Sequence, residues 1–520
     1  MADSVRMAFD PASTMLPVDR VLSVRAIRSE ARKSPQYQRL MASIRELGII
    51  EPLMVHPAPG HGVDILTAVA QSTSTKTDRS NRRLKERLAS RSLDNPDFWS
   101  FRGNAKRHHA HGLMQYPAMM VPQMVGALLG EIRRVFPTTK RVADPFVGSG
   151  TVLTEAMLRG MDVYGRDVNP LAALLCRTKA GPFFPDAARE RAEEAVAAAR
   201  KDRGSKVDVK FPGLDKWFTA DAQIQLSRIR RAIRKDQSRW VRRFLWVALA
   251  ETVRQTSNSR TSTFKLHIRT SEDLQDRSVD PIGVFAAVVK ANLERYQSLS
   301  DKLRRKKRTE RGHYLGEVQI DLVDARAVVA RNGSLYDVVV TSPPYGDNAT
   351  TVPYGQYSYL PLQWIDLADI GDDVNTEFLK STHEIDRRSL GGSRRVTPES
   401  MEGVLKASPA LGRLLKRLHE EPPDRAGRVS AFVRDLGACL DTIDAMLKPG
   451  GVMVWVLGNR RVAGRIVPLD NILKEILASR NFALVTTIKR RIPSKRMAHR
   501  NSVAKTMLSE SILVIRKGAQ

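Results

Sequence analysis

The pattern of apolar positions first becomes regular near residue 122. From there, apolar residues recur at the three- and four-residue spacing of an amphipathic helix, at Met124, Val125, Leu128, Leu129 and Ile132. A short strand is predicted at residues 141–146, followed by a glycine-containing turn and a second helix from Thr151. This succession predicts a β-turn-α unit.

A second unit of the same kind follows. A strand is predicted at residues 162–167, and Pro170 is suited to begin a helix at residues 171–178, because proline is favoured in the first helical turn. Apolar runs later in the chain predict the remaining strands, at residues 318–323, 336–341, 452–457, 482–488 and 511–515. Strands that alternate with helices predict an α/β fold with a doubly wound, mostly parallel, Rossmann-like sheet.

The remaining segments differ in pattern from this α/β domain. Residues 181–312 have a helical pattern and an excess of Lys and Arg, which predicts an inserted, mainly helical domain. Residues 1–66 predict a small α+β fragment, and the basic residues 67–110, with Ser and Thr clustered at their start, predict a linker. The α/β domain itself then comprises residues 111–180 and 313–520.

Composition adds a strong positive charge. Among 520 residues, 85 Lys and Arg outnumber 56 Asp and Glu, which gives a net charge of +29. Such an excess predicts a polyanionic partner, and nucleic acid is the first candidate. Apolar runs fall short of the ~18 residues of a membrane span, and the N-terminus lacks the pattern of a secretory signal. We therefore expect a cytoplasmic protein that does not enter a membrane.

Cysteine and histidine do not indicate a metal site. Cys176 and Cys439 are isolated in the sequence, so neither a disulfide framework nor a zinc site is expected. His108, His109 and His111 have no carboxylate or cysteine cluster beside them, and we interpret them as part of a basic loop. We therefore expect no metal.

The first motif with chemical meaning is Asp144-Pro-Phe-Val-Gly-Ser-Gly-Thr151, at the predicted strand-to-helix turn. Glycine lets the backbone approach a ligand closely, and a helix N-terminus presents unpaired N–H groups. Asp167 ends the next predicted strand, where its carboxylate can accept hydrogen bonds from ribose hydroxyls. The motif predicts a nucleoside cofactor. A dinucleotide fingerprint would need glycine where this chain has Leu153, which disfavours a dehydrogenase.

The second motif is Thr341-Ser-Pro-Pro-Tyr345, directly after the predicted strand at residues 336–341. Two prolines restrict the backbone and remove two N–H donors, so the loop projects carbonyls, a hydroxyl and an aromatic ring. Such a string can also be a polyproline recognition element. Its position at the carboxyl end of a strand, downstream of a nucleoside-binding turn, favours a ligand-binding loop.

Together the two motifs resemble those of the amino-methyltransferases of nucleic acids, which use S-adenosylmethionine on a doubly wound fold. The resemblance covers residues 111–517 apart from the insert. It implies that the methionine half of the cofactor is bound by Phe146, Gly148, Ser149, Gly150 and Thr151. It also implies that Asp144 belongs to the cofactor site, that Asp167 binds the ribose and that Asp324 meets the adenine amino group. The stretch around Tyr116 is similar to the family's cofactor-capping segment.

The same resemblance implies that Ser342, Pro343, Pro344 and Tyr345 form the catalytic loop. In this role the Ser342 side chain and the Pro343 carbonyl accept hydrogen bonds from the amino group of the target base. Tyr345 stacks on that base after it has flipped out of the helix. The expected reaction needs no metal.

We expect the methyl group to be transferred to an exocyclic amino group in DNA, with cytosine N4 before adenine N6. Within the family, Ser-Pro-Pro-Tyr is commoner among N4-cytosine enzymes, whereas adenine enzymes usually carry Asp or Asn at the position of Ser342. Carbon-5 methylation of cytosine needs a nucleophilic cysteine after a proline, and neither Cys176 nor Cys439 follows one. The alternatives are an RNA amino-methyltransferase and a non-catalytic DNA-binding scaffold. A restriction endonuclease is a candidate partner, and the sequence does not specify the oligomeric state.

Three segments are candidates for contacts with DNA. The insert is the expected sequence reader, especially residues 254–265, which include Ser257, Asn258, Ser259 and Arg260 as partners for base edges. Family members usually carry their recognition domain later in the chain, so this role rests on charge and position. Residues 350–358 either line the base pocket or pack beneath the catalytic loop. A basic run near the C-terminus predicts phosphate contacts by Lys489, Arg490, Arg491, Lys495, Arg496 and Arg500.

The N-terminal fragment carries a second resemblance. Residues 36–55 resemble the opening of ParB-like partition domains, with a predicted helix at 37–47 and a strand-like run at 52–56. In that family a Gly-x-Arg-Arg stretch follows, whereas residues 64–70 contain neither glycine nor arginine. We therefore expect a truncated fragment without a nucleotide or nuclease site of its own.

Overall fold

The structure is a computed structural model of the chain. It describes strands at residues 4–7, 14–17, 21–23, 55–58 and 62–65 and then residues 71–103, 107–327, 335–346, 352–372, 374–393, 396–419, 424–492 and 507–518. The chain divides into two units, Met1–Asn81 and Arg82–Gln520.

The first unit contains five short strands in its described part. Two of them, β1 (Ser4–Met7) and β2 (Thr14–Pro17), form an antiparallel hairpin. The other three are β3 (Val21–Ser23), β4 (Val55–Ala58) and β5 (Gly62–Ile65), which pair in the order β3-β5-β4. The strand predicted at residues 52–56 overlaps β4, whereas residues 36–54 of the ParB-like segment lie outside the described residues.

Helix α1 (Gln71–Asp94) occupies much of the linker predicted at residues 67–110. Leu84 and Leu88, one turn apart, are buried in the core of the second unit. Arg87 and Arg91 on the same helix pair with Glu131 at 2.7 and 2.6 Å. The basic residues that suggested a solvated linker therefore belong in part to a helix anchored by apolar and ionic contacts.

The second unit is built on a seven-stranded sheet in the order β10-β7-β6-β11-β12-β16-β15. Its strands are β6 (Arg141–Asp144), β7 (Asp162–Asp167), β10 (Val318–Leu322), β11 (Tyr336–Thr341), β12 (Leu447–Leu457), β15 (Phe482–Arg491) and β16 (Ser509–Lys517). The first five strands in this order are parallel, and β16 is antiparallel to both of its neighbours. Two small hairpins lie outside the sheet, formed by β8 (Thr309–Glu310) with β9 (His313–Tyr314) and by β13 (Arg461–Val462) with β14 (Arg465–Ile466).

Residues alternate between the two faces of this sheet. In β11, Val338 and Val340 pack into one hydrophobic cluster and Val339 packs into another. In β6, Val142 and Ala143 are divided in the same way. A parallel sheet covered on both faces has apolar residues on each side, which is why its strands read as continuous apolar runs.

Helices cover both faces. Those between residues 94 and 390 are α2 (Pro122–Val135), α3 (Thr151–Met157), α4 (Pro170–Lys179), α5 (Pro185–Lys201), α6 (Leu214–Trp217), α7 (Ala220–Lys235), α8 (Arg239–Thr256), α9 (Ser271–Gln275), α10 (Pro281–Arg305), α11 (Tyr354–Trp364), α12 (Leu367–Ile370) and α13 (Glu384–Arg388). Apart from α9, each contributes apolar residues to the cluster of Val338. The opposite face is covered by α14 (Pro398–Ala407), α15 (Pro409–Leu418), α16 (Asp424–Met446) and α17 (Leu469–Ala478). Within the described residues of this unit, short 3-10 helices also occur at Phe98–Ser100, His109–Gly112 and Thr376–Leu379.

The predicted insert, residues 181–312, is mainly helical and shares a core with the sheet. Phe244 of α8 and Leu293 of α10 are buried in the same hydrophobic cluster as Val338. Helix α8 also packs against α4, which belongs to residues 111–180 of the α/β domain. The insert therefore folds as helices over one face of the sheet, and its role in target recognition stays a prediction.

The doubly wound α/β fold is confirmed, with predicted strands at residues 162–167 and 336–341 matching β7 and β11 in full. Within the described residues, no helix combines the length and the apolar character needed to cross a bilayer.

Candidate active site

The two sequence motifs meet at one edge of the sheet. β6 and β11 are adjacent and parallel, so the loops after their carboxyl ends lie side by side. From β6 the sheet continues through β7 and β10 on one side, whereas β11 and β12 lie on the other, and the order of strands thus reverses between β6 and β11. Open α/β sheets bind ligands in the crevice at such a reversal.

A cavity lies between the two motifs. Its cofactor-side residues follow β6 and β7 and include Pro145, Phe146, Gly148, Asp167, Val168 and Asn169. The other lining residues include Tyr116, Asp324, Ser342, Pro344, Tyr354, Ile385 and Arg388. Residues of the two motifs therefore line one common cavity.

Glycine is required twice in the first motif. Gly148 and Gly150 have φ values of +47° and +73°, in the left-handed region that favours glycine. A Cβ atom on Gly150 would lie 3.0 Å from the Sγ atom of Cys176. The turn therefore depends on glycine for both its backbone conformation and its close approach to α4.

Two buried side chains of α4 hold the turn from below. The Cys176 thiol donates to the Gly148 carbonyl at 3.4 Å, and the Lys179 ammonium donates to the Ser149 carbonyl at 2.5 Å. Burial lowers the pKa of Lys179 to about 8 and raises the pKa of the Cys176 thiol. Cys176 is thus a structural residue, and sequence reasoning missed Lys179 because nothing in its pattern distinguishes it from a surface lysine at a helix end.

Asp167 joins the turn to the next strand. Its two carboxylate oxygens accept hydrogen bonds from the backbone N–H groups of Gly148, at 2.9 Å, and Asn169, at 2.8 Å. Burial raises the pKa of Asp167 to about 6. The carboxylate lines the cavity and keeps lone pairs for further donors, which is compatible with the predicted contact to ribose hydroxyls.

Asp144 lies behind the cavity wall. Its Oδ1 atom accepts hydrogen bonds from the Thr341 hydroxyl at 2.7 Å and from the Phe146 N–H at 3.0 Å. The side chain is fully buried, and its Oδ2 atom has no hydrogen-bond partner among the described residues. Burial raises the pKa of Asp144 to about 7. The structure therefore assigns Asp144 to joining the two motifs, whereas the sequence suggests a direct cofactor contact.

Ser149, Gly150 and Thr151 are also set back from the cavity. The two hydroxyls lie 3.2 Å apart and are almost fully buried. Thr151 is the first residue of α3, and these three residues shape the turn that presents Phe146 and Gly148. Their predicted contact with the methionine half stays a prediction.

Asp324 follows β10 and lines the cavity, as the resemblance implies. Arg326, two residues later, binds it through Nε, 3.0 Å from Oδ1, and through a terminal nitrogen, 2.5 Å from Oδ2. Arg326 also pairs with the buried Asp435 at 3.0 Å. The arginine thereby fixes the orientation of Asp324, and only the structure identifies it.

The catalytic loop forms part of the opposite wall. Ser342 and Pro344 line the cavity, whereas Pro343 is buried. Tyr345 is half-buried, and its hydroxyl lies 3.2 Å from Ser342 Oγ and donates to Glu510 at 3.1 Å. Tyr345 is absent from the cavity lining, and its predicted stacking on a base stays a prediction.

Two tyrosines and an asparagine complete the site. The rings of Tyr116 and Tyr354 are 5.9 Å apart and both line the cavity. The Asn169 side chain donates to the Tyr116 hydroxyl at 3.0 Å and to Ser358 Oγ at 2.8 Å. In the described part of the polar and aromatic stretch 350–358, Tyr354 faces the cavity and Tyr357 is buried, so lining and packing both occur.

The basic run near the C-terminus is only partly available to phosphate. Arg490 is buried, pairs with Glu510 and donates to the Trp99 carbonyl at 3.0 Å, so the prediction of a phosphate contact there is wrong. Lys489 and Arg491 are exposed. Lys495, Arg496 and Arg500 lie outside the described residues.

Three polar residues predicted to read bases are buried. Ser257, Asn258 and Ser259 are at most 8% exposed. The Asn258 side chain donates to the Lys216 carbonyl at 3.1 Å, and Ser259 Oγ accepts from the His267 N–H at 3.2 Å. The prediction of base contacts is wrong for these three residues, because their side chains form hydrogen bonds with backbone groups of the insert.

Arg260 has the opposite environment. Its side chain is exposed, at 47%, and lies 4.0 Å from Asp273. Leu266, later in the same loop, donates its backbone N–H to Gln356 of α11 at 3.1 Å. This contact brings the loop of residues 257–270 beside the helix that carries Tyr354.

The histidines interpreted as a basic loop are largely buried. His109 and His111 are at most 5% exposed, and His111 lies 3.2 Å from Glu155. Burial lowers the pKa of His109 to about 3 and that of His111 to about 4, so both are neutral near pH 7. No cluster of three or more His, Cys, Asp or Glu suited to a metal occurs in the described part of the chain.

The cavity fits S-adenosylmethionine. Asp167 and Asp324 lie at the ends of β7 and β10, where one carboxylate can accept from ribose hydroxyls and the other from an adenine amino group. Gly148 exposes backbone to the cavity, and Phe146 and Tyr116 add aromatic surface. Acceptors, a close-approach glycine and apolar walls therefore occur together in one cavity.

Comparison with known proteins agrees with this site. Residues 126–272 match the model of the D12 class N6 adenine-specific DNA methyltransferases. The matched region contains the first motif and most of the insert and ends before the catalytic loop.

Two curated relatives extend the comparison. Type II methyltransferase M.MvaI of Kocuria varians is 29% identical over 455 residues, which cover 83% of this chain and 96% of that protein. Type II methyltransferase M.MjaII of Methanocaldococcus jannaschii is 35% identical over 71 residues, 14% of this chain and 13% of the relative. No counterpart of the ParB-like resemblance is found in these matches. In its site geometry, its family match and its relatives, the chain is thus similar to the S-adenosylmethionine-dependent DNA amino-methyltransferases.

Proposed function

We propose that this enzyme methylates the exocyclic amino nitrogen of a base flipped out of duplex DNA, with cytosine N4 as the first target. The observation that carries the proposal is that Ser342 and Pro344 line the same cavity as Gly148 and Asp167. The residues expected to bind the target amino group and those expected to bind the cofactor therefore line one cavity, as direct methyl transfer requires.

Bound S-adenosylmethionine supplies an electrophilic methyl group on a sulfonium centre. On the protein side, Phe146 and Gly148 contact the methionine half, Asp167 accepts from the ribose hydroxyls and Asp324 accepts from the adenine amino group. Arg326 holds the Asp324 carboxylate, and the hydrogen bonds of Gly148 and Asn169 hold that of Asp167. These residues would hold the cofactor in the cavity that Ser342 also lines.

The target nitrogen must be activated because its lone pair is delocalised into the ring. Ser342 Oγ and the Pro343 carbonyl accept hydrogen bonds from the two N–H groups of the target nitrogen. These hydrogen bonds favour a tetrahedral nitrogen whose lone pair is available for the methyl group. S-adenosylmethionine would supply the methyl group at the expense of its own C–S bond, and the amino nitrogen would release one proton to water. Positioning by these residues provides most of the rate enhancement.

Cytosine N4 is supported by the residue that faces the target. Ser342 provides a hydroxyl where adenine enzymes with related loops usually carry Asp or Asn, and a hydroxyl is a weaker acceptor than a carboxylate. Adenine N6 is the second candidate, because the matching family is described as N6 adenine-specific. That match ends at residue 272, so its description does not derive from the loop at Ser342.

A restriction partner is a further part of the proposal. Both relatives are described as Type II methyltransferases, which supports a restriction-modification context. A net charge of +29 supports DNA as the substrate, because neutralising phosphates provides most of the non-specific affinity. Exposed Arg260 and Lys489 are candidate contacts.

The test identifies the methylated nucleoside. Purified protein is incubated with S-adenosylmethionine and mixed-sequence duplex DNA, with an RNA pool in parallel, and digests are analysed by mass spectrometry. N4-methyldeoxycytidine supports the first target, and N6-methyldeoxyadenosine replaces it with the second. Methylation of RNA alone would overturn the DNA substrate.

Variants test the loop itself. Ser342→Ala is expected to abolish most product, whereas Ser90→Ala makes the same chemical change on exposed surface of α1 and should leave activity unchanged. Equal activity of both variants would overturn the role of Ser342. Absence of any product together with absence of S-adenosylmethionine binding in calorimetry would overturn catalysis and support the DNA-binding scaffold.

A further inference from the structure

A series of hydrogen bonds runs from the catalytic loop to the antiparallel edge of the sheet. Ser342 Oγ lies 3.2 Å from the Tyr345 hydroxyl, and the Tyr345 hydroxyl lies 3.1 Å from Glu510 Oε1. The other carboxylate oxygen of Glu510 accepts from the Arg490 guanidinium. Neither Tyr345, Glu510 nor Arg490 lines the cavity, so the series approaches Ser342 from behind.

The chemistry of these groups determines the direction of each hydrogen bond. An ionised carboxylate can only accept hydrogen bonds, and a phenol has a single proton to donate. Tyr345 therefore donates its hydrogen bond to Glu510. Burial raises the pKa of Tyr345 well above 10, and the phenol therefore stays protonated. Because the Tyr345 proton is engaged with Glu510, the Tyr345 oxygen accepts a hydrogen bond from the Ser342 hydroxyl.

The consequence concerns the lone pairs of Ser342. A serine hydroxyl can donate one hydrogen bond and accept two. When its proton points to Tyr345, both lone pairs are available and the hydroxyl facing the cavity is an acceptor. The target amino group donates hydrogen bonds. Ser342 can therefore bind it only when the Ser342 proton points away from the cavity.

The far end of the series is rigidly held. Arg490 of β15 and Glu510 of β16 are directly opposite each other in the antiparallel ladder. Their side chains are 4% and 15% exposed, and Arg490 Nε also donates to the Trp99 carbonyl at 3.0 Å. Charge-assisted hydrogen bonds of buried groups are strong, which fixes the carboxylate that receives the Tyr345 proton.

We propose that Glu510 is a positioning residue for methyl transfer, which sets the hydrogen-bond direction through Tyr345 so that Ser342 presents lone pairs to the target amino group. This role rests on the proposed function. It deepens that function by explaining how a serine, rather than a carboxylate or an amide, serves as the acceptor.

The decisive variant is Glu510→Gln, which keeps the shape of the side chain. Arg490 only donates, so the glutamine carbonyl turns to Arg490 and the glutamine NH₂ group turns to Tyr345. Tyr345 then accepts from Gln and donates to Ser342, whose own proton is directed into the cavity. We expect kcat for DNA methylation to fall roughly 10-fold or more, because the Ser342 proton would then face the hydrogens of the target amino group. The KM for DNA and the calorimetric Kd for S-adenosylmethionine should change less than about twofold, because Glu510 does not line the cavity.

A matched control separates positioning from general stability. Glu131 is also a buried carboxylate held by arginines, Arg87, Arg91 and Arg134, and it does not line the cavity. Glu131→Gln should lower the melting temperature yet leave kcat of the folded protein unchanged. An equal loss of kcat in both variants would show that any disturbed ion pair reduces activity, and would overturn the specific role of Glu510.

Coupling to Tyr345 provides the second readout. Tyr345→Phe removes the hydroxyl but leaves the Glu510–Arg490 pair intact, and kcat should fall by a similar factor. In the double variant with Glu510→Gln, kcat should not fall below that of Tyr345→Phe alone by more than about twofold, because both changes interrupt one series. If the factor by which kcat falls in the double variant equals the product of the two single-variant factors, the proposed coupling of Glu510 to Ser342 through Tyr345 is overturned. If Glu510→Gln does not fold, unchanged kcat in Tyr345→Phe overturns the proposal by itself.

The wild-type assay separates this inference from the function on which it rests. If the wild-type protein methylates no nucleic acid, the proposed function is wrong and the role of Glu510 is wrong with it. If the wild-type protein is active and Glu510→Gln retains kcat within about twofold, only the positioning role is overturned.

Discussion

The Thr341 hydroxyl donates a 2.7 Å hydrogen bond to the Asp144 carboxylate. Asp144 ends β6 and Thr341 ends β11, and each is followed at once by one of the two functional loops. This buried contact sets the spacing between the cofactor turn and the catalytic loop from behind the cavity. Methyl transfer is sensitive to such spacing, because small errors of position between reacting groups are costly in rate.

Asp144 is expected to make stability depend on pH. Burial raises the pKa of Asp144 to about 7, from an ordinary value of 3.8. A carboxyl group with a raised folded-state pKa favours folding at acidic pH, and that contribution is lost as pH rises from about 4 to about 7. Relative to Asp144→Asn, the wild-type free energy of unfolding should therefore fall across this window, by at most roughly 1.4 kcal/mol per pH unit.

Urea unfolding at pH 5 and pH 7.5 measures this difference. Asp337→Asn is the control, because hydrogen bonding to Lys448 and to the backbone lowers the pKa of Asp337 and moves its titration below the window. Parallel pH dependence of the wild type and Asp144→Asn would contradict the raised pKa.

Gly150→Ala is expected to disturb both stability and cofactor binding. The left-handed conformation of this residue costs alanine roughly 1 kcal/mol, and the new Cβ would lie 3.0 Å from Cys176 Sγ. Gly103 has a similar φ of +77° but open space around its Cβ position. We expect Gly103→Ala to show only the conformational cost, whereas Gly150→Ala also weakens S-adenosylmethionine binding. Thermal unfolding and calorimetry of both variants check this, and equal effects would contradict the steric argument.

Arg326→Lys should weaken cofactor binding through Asp324. A lysine cannot bind Asp324 in two places and also reach Asp435, so the Asp324 carboxylate loses its fixed orientation. We expect the Kd for S-adenosylmethionine to rise roughly 5- to 20-fold, equivalent to the ~1–2 kcal/mol of a lost hydrogen bond.

Arg434→Lys is the appropriate comparison for that variant. Arg434 also pairs with Asp435, at 2.6 Å, whereas Asp324 is hydrogen-bonded by Arg326. Calorimetric titration should give a near-normal Kd for Arg434→Lys. A shared loss of affinity would mean that Asp435, rather than the orientation of Asp324, is responsible.

Residues 258 and 260 should separate folding from DNA binding within the insert. Asn258→Ala removes a buried hydrogen bond to the Lys216 carbonyl and should destabilise the protein by ~1–3 kcal/mol. Arg260→Ala removes an exposed charge and should change stability by less than ~0.5 kcal/mol. Fluorescence anisotropy with duplex DNA should show a several-fold weaker Kd for Arg260→Ala. Unchanged affinity and salt dependence in this variant would remove the loop of residues 257–270 from the DNA-binding surface.

Much of the fold was predictable because its signals are local. The strands predicted at residues 336–341 and 162–167 match β11 and β7 with correct ends. Glycines 148 and 150 and the two prolines of the catalytic loop identify the functional turns, since these residue types restrict or release the backbone on their own. The fold class, a nucleoside cofactor and the cavity-lining positions of Asp167 and Ser342 follow from such signals, whereas S-adenosylmethionine was implied by the family resemblance.

Other roles were decided by tertiary contacts. Arg490 and Arg491 are equivalent in sequence, yet Arg490 is buried against Glu510 and Arg491 is exposed. Asn258 and Arg260 differ in the same way within the insert.

The sequence by itself determined which strands and turns form and which chemical groups the two motifs carry. Only the tertiary structure decided that Asp144 joins the motifs, that Arg326 orients Asp324 and that Glu510 lies behind Tyr345. The physical reason is that backbone conformation responds to neighbouring residues, whereas the role of a polar side chain depends on the partner and the burial that distant segments provide.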